Sequence, residues 1–332
     1  MHLMGLLLVI VGGVMEGLFA LPVKLTARWS WENIWGAGSF AALLFGPVPL
    51  LVLTFPHFMA IYAATPPRAV MLAAFFGTAW GLGGIFYGLG IAQLGISLGT
   101  SAIMGLIAIG GSIVPFAIER KDQIFGAKGL ALLAGIGAMI AGLIVCARAG
   151  DLRLGTQGSK VAKRPASRGI FYCLAAGVLS AMVNFALIFG APIADVARSQ
   201  GASAFGAGNA IWAIVFAVNY SLNVAYCLYL MRVRKSFNKF RSALTGTYWI
   251  LAAAMGILWA GGIVVYGFGA SMGGTYGPVF AFPVMLIVSI LAANLTGVML
   301  GEWRGTTKSA RQTMQVGVAL MVASIAILGC AN

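Results

Sequence analysis

The chain has 332 residues, of which 61% are hydrophobic and 8% charged, with a formal net charge of +14. A water-soluble domain of that composition would lack the polar surface to cover itself, so the sequence is that of an integral membrane protein. A basic excess of this size is also found in nucleic-acid-binding proteins, but here it falls in short clusters between apolar stretches, which marks membrane orientation instead.

Ten predominantly apolar segments of about 20 residues, each enough to cross ~30 Å of hydrocarbon, are expected at 3–23, 33–55, 69–91, 97–118, 127–147, 169–190, 207–230, 247–267, 278–300 and 312–330. The first segment lacks the basic start of a secretory signal and is read as an uncleaved helix. It carries Glu16, an acid inside an otherwise uncharged stretch. Such a residue costs roughly 2.5 to 3.5 kcal/mol on insertion scales and usually lines a substrate or proton path. On a helical wheel Glu16 shares a face with Gly12, Gly13 and Ala20, while Leu7, Val11, Val14, Leu18 and Leu21 crowd the other side. Small residues mark the packing side of a membrane helix, so Glu16 is expected to point into the bundle. Desolvation there favours the neutral carboxyl, the property that a proton carrier needs. The competing reading is a protonated acid that only glues helices together.

Ahead of the second segment, Trp29, Ser30, Trp31 and Glu32 read as an interface belt, with Ser30 as N-cap and Glu32 complementing the helix dipole. The third segment places Trp80 and Tyr87 seven residues apart, hence on one face, among glycines. The sixth carries Asn184 in mid-span. The seventh has a stripe of Trp212, Phe216, Asn219, Asn223 and Tyr226 at alternating spacings of four and three. The eighth repeats the aromatic pair as Trp259 and Tyr266. Aromatic rings can stack on the apolar face of a pyranose, and amides both donate to and accept from its hydroxyls. Trp80, Tyr87, Asn184, Trp212, Asn219, Asn223, Trp259 and Tyr266 are therefore the candidate substrate-binding residues, with ordinary helix packing as the alternative for each. In the ninth segment, Pro278 and Pro283 read as a kink of the kind common in membrane helices.

Loops after the odd-numbered segments hold sixteen basic residues against five on the other side, which puts the odd loops in the cytoplasm and both termini in the periplasm. The longest basic loop divides the chain into a first five-helix repeat (1–148), a linker (149–168) and a second repeat (169–332), with the halves inverted in the membrane. Both third helices of the halves read Trp, six residues, Tyr, Gly, and both fourth helices end at an acid before a basic cluster, Glu119-Arg120-Lys121 and Glu302-Trp303-Arg304.

At these positions the chain resembles the drug/metabolite transporter superfamily, and within it the L-rhamnose/proton symporter family. The likeness is carried by Leu21-Pro22-Val23-Lys24, Arg28-Trp29-Ser30-Trp31-Glu32, Trp80-Gly81-Leu82-Gly83, Tyr87-Gly88-Leu89 and Leu94-Gly95-Ile96-Ser97-Leu98-Gly99. It continues in Gly177-Val178-Leu179-Ser180-Ala181, Asn184-Phe185-Ala186, Pro192, Asn223 and Glu302-Trp303. The resemblance implies an all-α membrane protein of ten transmembrane helices, in two inverted repeats, that imports L-rhamnose or a related deoxyhexose by alternating access in a bacterial inner membrane.

The residues alone agree with a neutral substrate, because no Lys or Arg lies in mid-span to meet an anion. Accumulating a neutral sugar requires ion coupling, and Glu16 makes H⁺ the expected coupling ion, with no other cofactor. Two rivals remain at this level. Glu16 with Trp80 and Tyr87 would equally suit a proton-driven exporter of hydrophobic or quaternary cations. A non-transporting sensor or scaffold is disfavoured by loops too short for an output domain.

Catalysis is not expected. Gly269-Ala270-Ser271-Met272-Gly273 matches a nucleophile-elbow string but lies between membrane helices, and the two histidines, His2 and His57, have no acid to orient them. The four cysteines, Cys146, Cys173, Cys227 and Cys330, have neither metal-ligand nor disulfide spacing, and no P-loop appears.

Overall fold

The computed structural model describes residues 3–19, 21–55, 57–94, 96–119, 121–155, 166–274, 277–301 and 303–330. Glu302, Gly95, Ala20, the side chain of Glu119 and residues 156–165 of the expected linker lie outside the described residues. The described chain is helical throughout, with turns and no strand among the described residues. The helices are α1 (Leu3–Leu18), α2 (Leu21–Leu25), α3 (Trp31–Phe45), α4 (Pro47–Thr54), α5 (Phe58–Ala64), α6 (Pro67–Leu94), α7 (Ile96–Ala108) and α8 (Val114–Glu119). They continue with α9 (Ala127–Gly155), α10 (Ala166–Phe189), α11 (Ala191–Ser199), α12 (Ala204–Val233), α13 (Thr245–Ser271), α14 (Gly277–Met299) and α15 (Lys308–Cys330).

Among the described residues nine helical stretches are long and apolar enough to cross a membrane, and Ala102–Ile118 is a shorter apolar helix. This shorter stretch falls in the expected fourth segment, where a π-helical turn at Ile109–Ile113 separates α7 from α8. The cause is local: Pro115 has no N–H to give the carbonyl of Gly111 four residues back, and glycines at 110 and 111 tolerate the wider turn. The Asn184 side chain of α10 donates to that Gly111 carbonyl. At the other end of the first half, α9 runs on to Gly155, so the start of the expected 149–168 linker is helical.

Backbones approach closely where glycine allows it. α1 lies on α13 at Gly12, where an added Cβ would stand 2.7 Å from the Gly262 carbonyl and 2.9 Å from the Tyr266 nitrogen. α3 lies on α13 at Gly256, where a Cβ would stand 2.4 Å from the Gly38 carbonyl. Further principal contacts join α1 to α14, α3 to α12, α6 to α10 and α12, α7 to α9 and α10, and α9 to α15. On α1 the small face of Gly12, Gly13 and Gly17 is buried, while Leu7, Val11 and Val14 are exposed where lipid would lie.

The expected interface belt at Trp29 and Glu32 is corrected by the structure. Trp29 is buried against Phe240, Tyr248 and Trp249, and its indole N–H donates to Thr245 Oγ1 at 3.3 Å. Glu32 is only 1% exposed and accepts from Arg234 at 3.0 Å and from Ser236 Oγ at 2.8 Å. The 3₁₀ turn at Ser236–Arg241 folds back over the start of α3, and this cover is what no periodicity in the sequence reveals.

Substituting Gly256→Ala is expected to cost about 1 to 3 kcal/mol, because the methyl meets backbone rather than a movable side chain. Gly137→Ala on α9, where nothing lies within 4 Å, should change stability by less than about 1 kcal/mol. Thermal melts of the two variants in detergent check the contrast.

Candidate functional site

A cavity of about 740 Å³ opens between the helices. Its mouth is at the end where α1 and α9 finish and α3 begins, marked by Lys24, Trp31, Arg153 and Trp303, and it ends at mid-bundle against Val183, Ile263 and Phe282. Beyond that floor Asn184 and Tyr266 are buried. Tyr266 donates to Asn184 Oδ1 at 3.0 Å, and Asn184 donates in turn to the Gly111 carbonyl. These bonds thus tie α13, α10 and the π turn through one buried amide.

One wall rests on a ladder of rings from four helices, in which Trp31, Trp35, Trp80 and Trp259 line the cavity and Phe216 and Tyr220 are buried behind them. Trp80 of α6 packs edge-on against Phe216 of α12 with centroids 5.6 Å apart, and Phe216 meets Tyr220 at 4.8 Å. Tyr220 is edge-on to Trp259 of α13 at 4.8 Å, and Trp259 meets Trp35 of α3 at 5.1 Å. Trp35 stacks on Trp31 at 5.2 Å, and Phe19, just after α1, stacks on Trp259 at 5.1 Å. Such offset and edge-on pairs hold large rings in fixed orientations.

Glu16 lines this cavity from α1. Its Oε1 is screened from solvent and has no hydrogen-bond partner among the described residues. Gly262 of α13 makes room for it, since a Cβ there would stand 3.1 Å from Oε1. Ser180, Ser289 and Asn294 also line the cavity, with the amide of Asn294 donating to the Ile290 carbonyl at 3.0 Å. Among the described residues no group of three or more His, Cys, Asp or Glu is disposed to hold a metal ion.

Of the residues singled out in the sequence, the structure brings Glu16, Trp80, Tyr87 and Trp259 together on the cavity. Asn184 and Tyr266 instead pair beneath it. Trp212 is buried in the bundle, its indole standing where Gly267 leaves space for it. Asn219 and Asn223 lie behind the aromatic wall rather than on it. Asn223 accepts from the Trp35 indole N–H at 3.0 Å and donates to Asn219 Oδ1 at 3.0 Å, so the pair fixes the tilt of a cavity ring. Phe19, Trp31 and Trp35, which line the cavity, were not among the candidates. Trp31 and Trp35 are spaced four apart, a helical-face signal as good as the one that marked Trp80 and Tyr87, but hidden by the interface-belt reading.

With the geometry in place, comparison with known proteins is specific. The family model described as L-rhamnose-proton symport protein (RhaT) matches residues 1–332. An L-rhamnose-proton symporter of Yersinia pestis (strain Pestoides F) is 24% identical over 334 residues, covering 98% of this chain and 97% of the relative. A protein of the same name in Cronobacter sakazakii is 23% identical, covering 98% of this chain and 96% of its own.

The cavity can be checked with the protein's own thiols. Cys146 lines it, whereas Cys173 and Cys227 are buried. In a Cys330→Ser background, a hydrophilic maleimide is expected to modify Cys146 and to spare the other two, as read by mass spectrometry; equal labelling of all three would contradict the cavity's outline.

Proposed function

The chain belongs to the L-rhamnose-proton symport protein family, a family of transporters rather than enzymes, and from that premise we propose that it carries L-rhamnose or a closely similar neutral deoxyhexose together with H⁺. The observation that carries this reading is the placement of Glu16, the one carboxyl among the described lining residues, on a cavity walled by aromatic rings. The rings suit the apolar face of a sugar, the serines and Asn294 suit its hydroxyls, and Lys24 and Arg153 stand at the mouth rather than beside the floor. Trp80, Tyr87, Trp259, Trp31 and Trp35 are assigned to substrate contact. Asn184, Trp212, Asn219, Asn223 and Tyr266 are assigned to holding the walls and a seal beneath the floor. Glu16 carries the proton.

The proposed architecture is the drug/metabolite transporter fold, with the run from Ile96 to Glu119 counted as a tenth crossing and 1–148 and 169–332 as inverted halves. Helix packing supports it, because the principal contacts are unchanged when each crossing is exchanged for the one five further along. α1 on α13 is answered by α10 on α6, α1 on α14 by α10 on α7, and α3 on α13 by α12 on α6. α7 on α9 is answered by α14 on α15, while α3 with α12 and α9 with α15 exchange into themselves. Each half also breaks its first crossing at a matching string, Phe19-Ala20-Leu21-Pro22 and Phe189-Gly190-Ala191-Pro192. With the basic loops in the cytoplasm of a bacterial inner membrane, the cavity faces inward and the Asn184 seal faces the periplasm.

Uptake of a labelled sugar panel into vesicles, with and without a pH gradient, tests the reading. Rhamnose is expected to accumulate only with the gradient, and Glu16→Gln should abolish accumulation while leaving exchange of sugar across the membrane. A quaternary cation moving in place of the sugar would sink it. Reporter fusions at Gly158 and Asn332 should give opposite signals, and matching signals would overturn the orientation.

The assignment of Asn223 is tested by a double-mutant cycle. Asn223→Ala and Trp35→Phe should each weaken sugar binding about five- to tenfold, from one lost hydrogen bond of about 1 to 1.5 kcal/mol. The double variant should be no weaker than Trp35→Phe alone. Additive losses would mean that Asn223 meets the sugar directly.

A further inference from the structure

Glu16 is not the one buried polar group left unpaired near the aromatic wall. The Tyr220 hydroxyl is also buried without a hydrogen-bond partner among the described residues. A buried hydroxyl without a partner destabilises a fold, and deleting it is neutral or favourable when the ring fills the same space. α12 has a bare phenylalanine at 216, one turn earlier in the same ladder, so the ring alone would serve the packing at 220. The hydroxyl therefore needs a reason other than stability.

Its position supplies one. The Tyr220 ring packs on Trp259 at 4.8 Å, and Glu16 Oε1 meets the same helix α13 one turn further on, at Gly262. Tyr220 also lies within electrostatic reach of Glu16. Among the described residues other ionisable groups near Glu16 are few. Tyr87 of α6 and Cys146 of α9 share the cavity, Lys24 and Arg153 stand at its mouth, and α3, α13 and α14 contribute only uncharged, non-titrating side chains to the lining.

We propose that Tyr220 is the proton-coupling partner of Glu16: its O–H donates a hydrogen bond to the carboxylate once the acid's proton has left for the cavity, and lets go when the acid is reprotonated. The proton transferred is that of Glu16 alone; Tyr220 keeps its own. This rests on the reading of Glu16 as the H⁺ carrier. It adds a donor from α12, a helix that contacts both halves, so that loss of the proton draws α1 and α12 together.

Tyr220→Phe in reconstituted vesicles tests it, with Glu16→Gln alongside. Tyr220→Phe is expected to melt at or above the wild-type temperature and to exchange sugar normally. Its uphill accumulation should fall about tenfold, the effect of one lost hydrogen bond to a charged group, and the pH midpoint of sugar binding should move. In a Glu16→Gln background, adding Tyr220→Phe should change neither quantity. Wild-type accumulation and an unmoved midpoint would overturn the proposal, and so would a lowered melting temperature with loss of sugar binding, which would make the hydroxyl structural. If Glu16→Gln itself still concentrates sugar, the reading of Glu16 fails first and the pairing with it.

Discussion

The position of α1 between α13 and α14 governs the rest of the site. Lipid tails are as apolar as leucine, so α1 is not held there by the hydrophobic effect; it is held by close packing that small residues permit. Gly12 brings its backbone against α13 at Gly262, and Gly13 and Gly17 bring it against Val288 and Ser289 of α14. Glu16 lies on this same face, between Gly12 and Gly13 around the helix, and lines the cavity. A Cβ at Gly262 would crowd the carboxyl as well as the backbone. The same approach that binds the helices therefore also sets the depth and direction of the acid.

The bundle uses polar groups in opposite ways. Beneath the cavity floor a backbone carbonyl, freed by Pro115, is a liability in a low-dielectric interior, and Asn184 answers it while also receiving Tyr266. Along the aromatic wall the amides of α12 recede. Asn219 and Asn223 stand behind the wall and present the cavity with Trp35 instead of themselves. An amide in a membrane helix has four hydrogen-bonding sites to satisfy, and partners on neighbouring helices satisfy them at all times, whereas a substrate does so only in passing. A ring has no such demand and can face an aqueous cavity between substrates.

This difference explains what was legible in the sequence. Glu16 was readable because an intramembrane acid has no bland equivalent and because the glycines beside it mark a face. Trp80, Tyr87 and Trp259 were readable from spacing. The periodic stripe on α12 was also real, since Trp212, Phe216, Asn219 and Asn223 are all buried on one side. But periodicity says that residues share a face, not whether that face meets a cavity or another helix. Trp29 and Glu32 failed for a related reason. Their burial depends on the turn at Ser236–Arg241, some two hundred residues away in sequence, and on Arg234 reaching back to the acid.

The buried Glu32 shows why a charge near a membrane helix is not by itself a functional signal. It is fully paired, by a guanidinium that is itself more than half exposed and by the Ser236 hydroxyl, so the ionised form is served by fixed donors and has no need to change. Glu16 has the opposite surroundings: its Oε1 has no donor, and the cavity beside it gives a proton a way out. An acid can cycle between charge states only if neither state is locked by its neighbours. By that criterion these two described carboxyls differ: Glu32 is a fastening between α3 and the end of α12, whereas Glu16 Oε1 is held by no donor, which is what the proposed proton carrier requires.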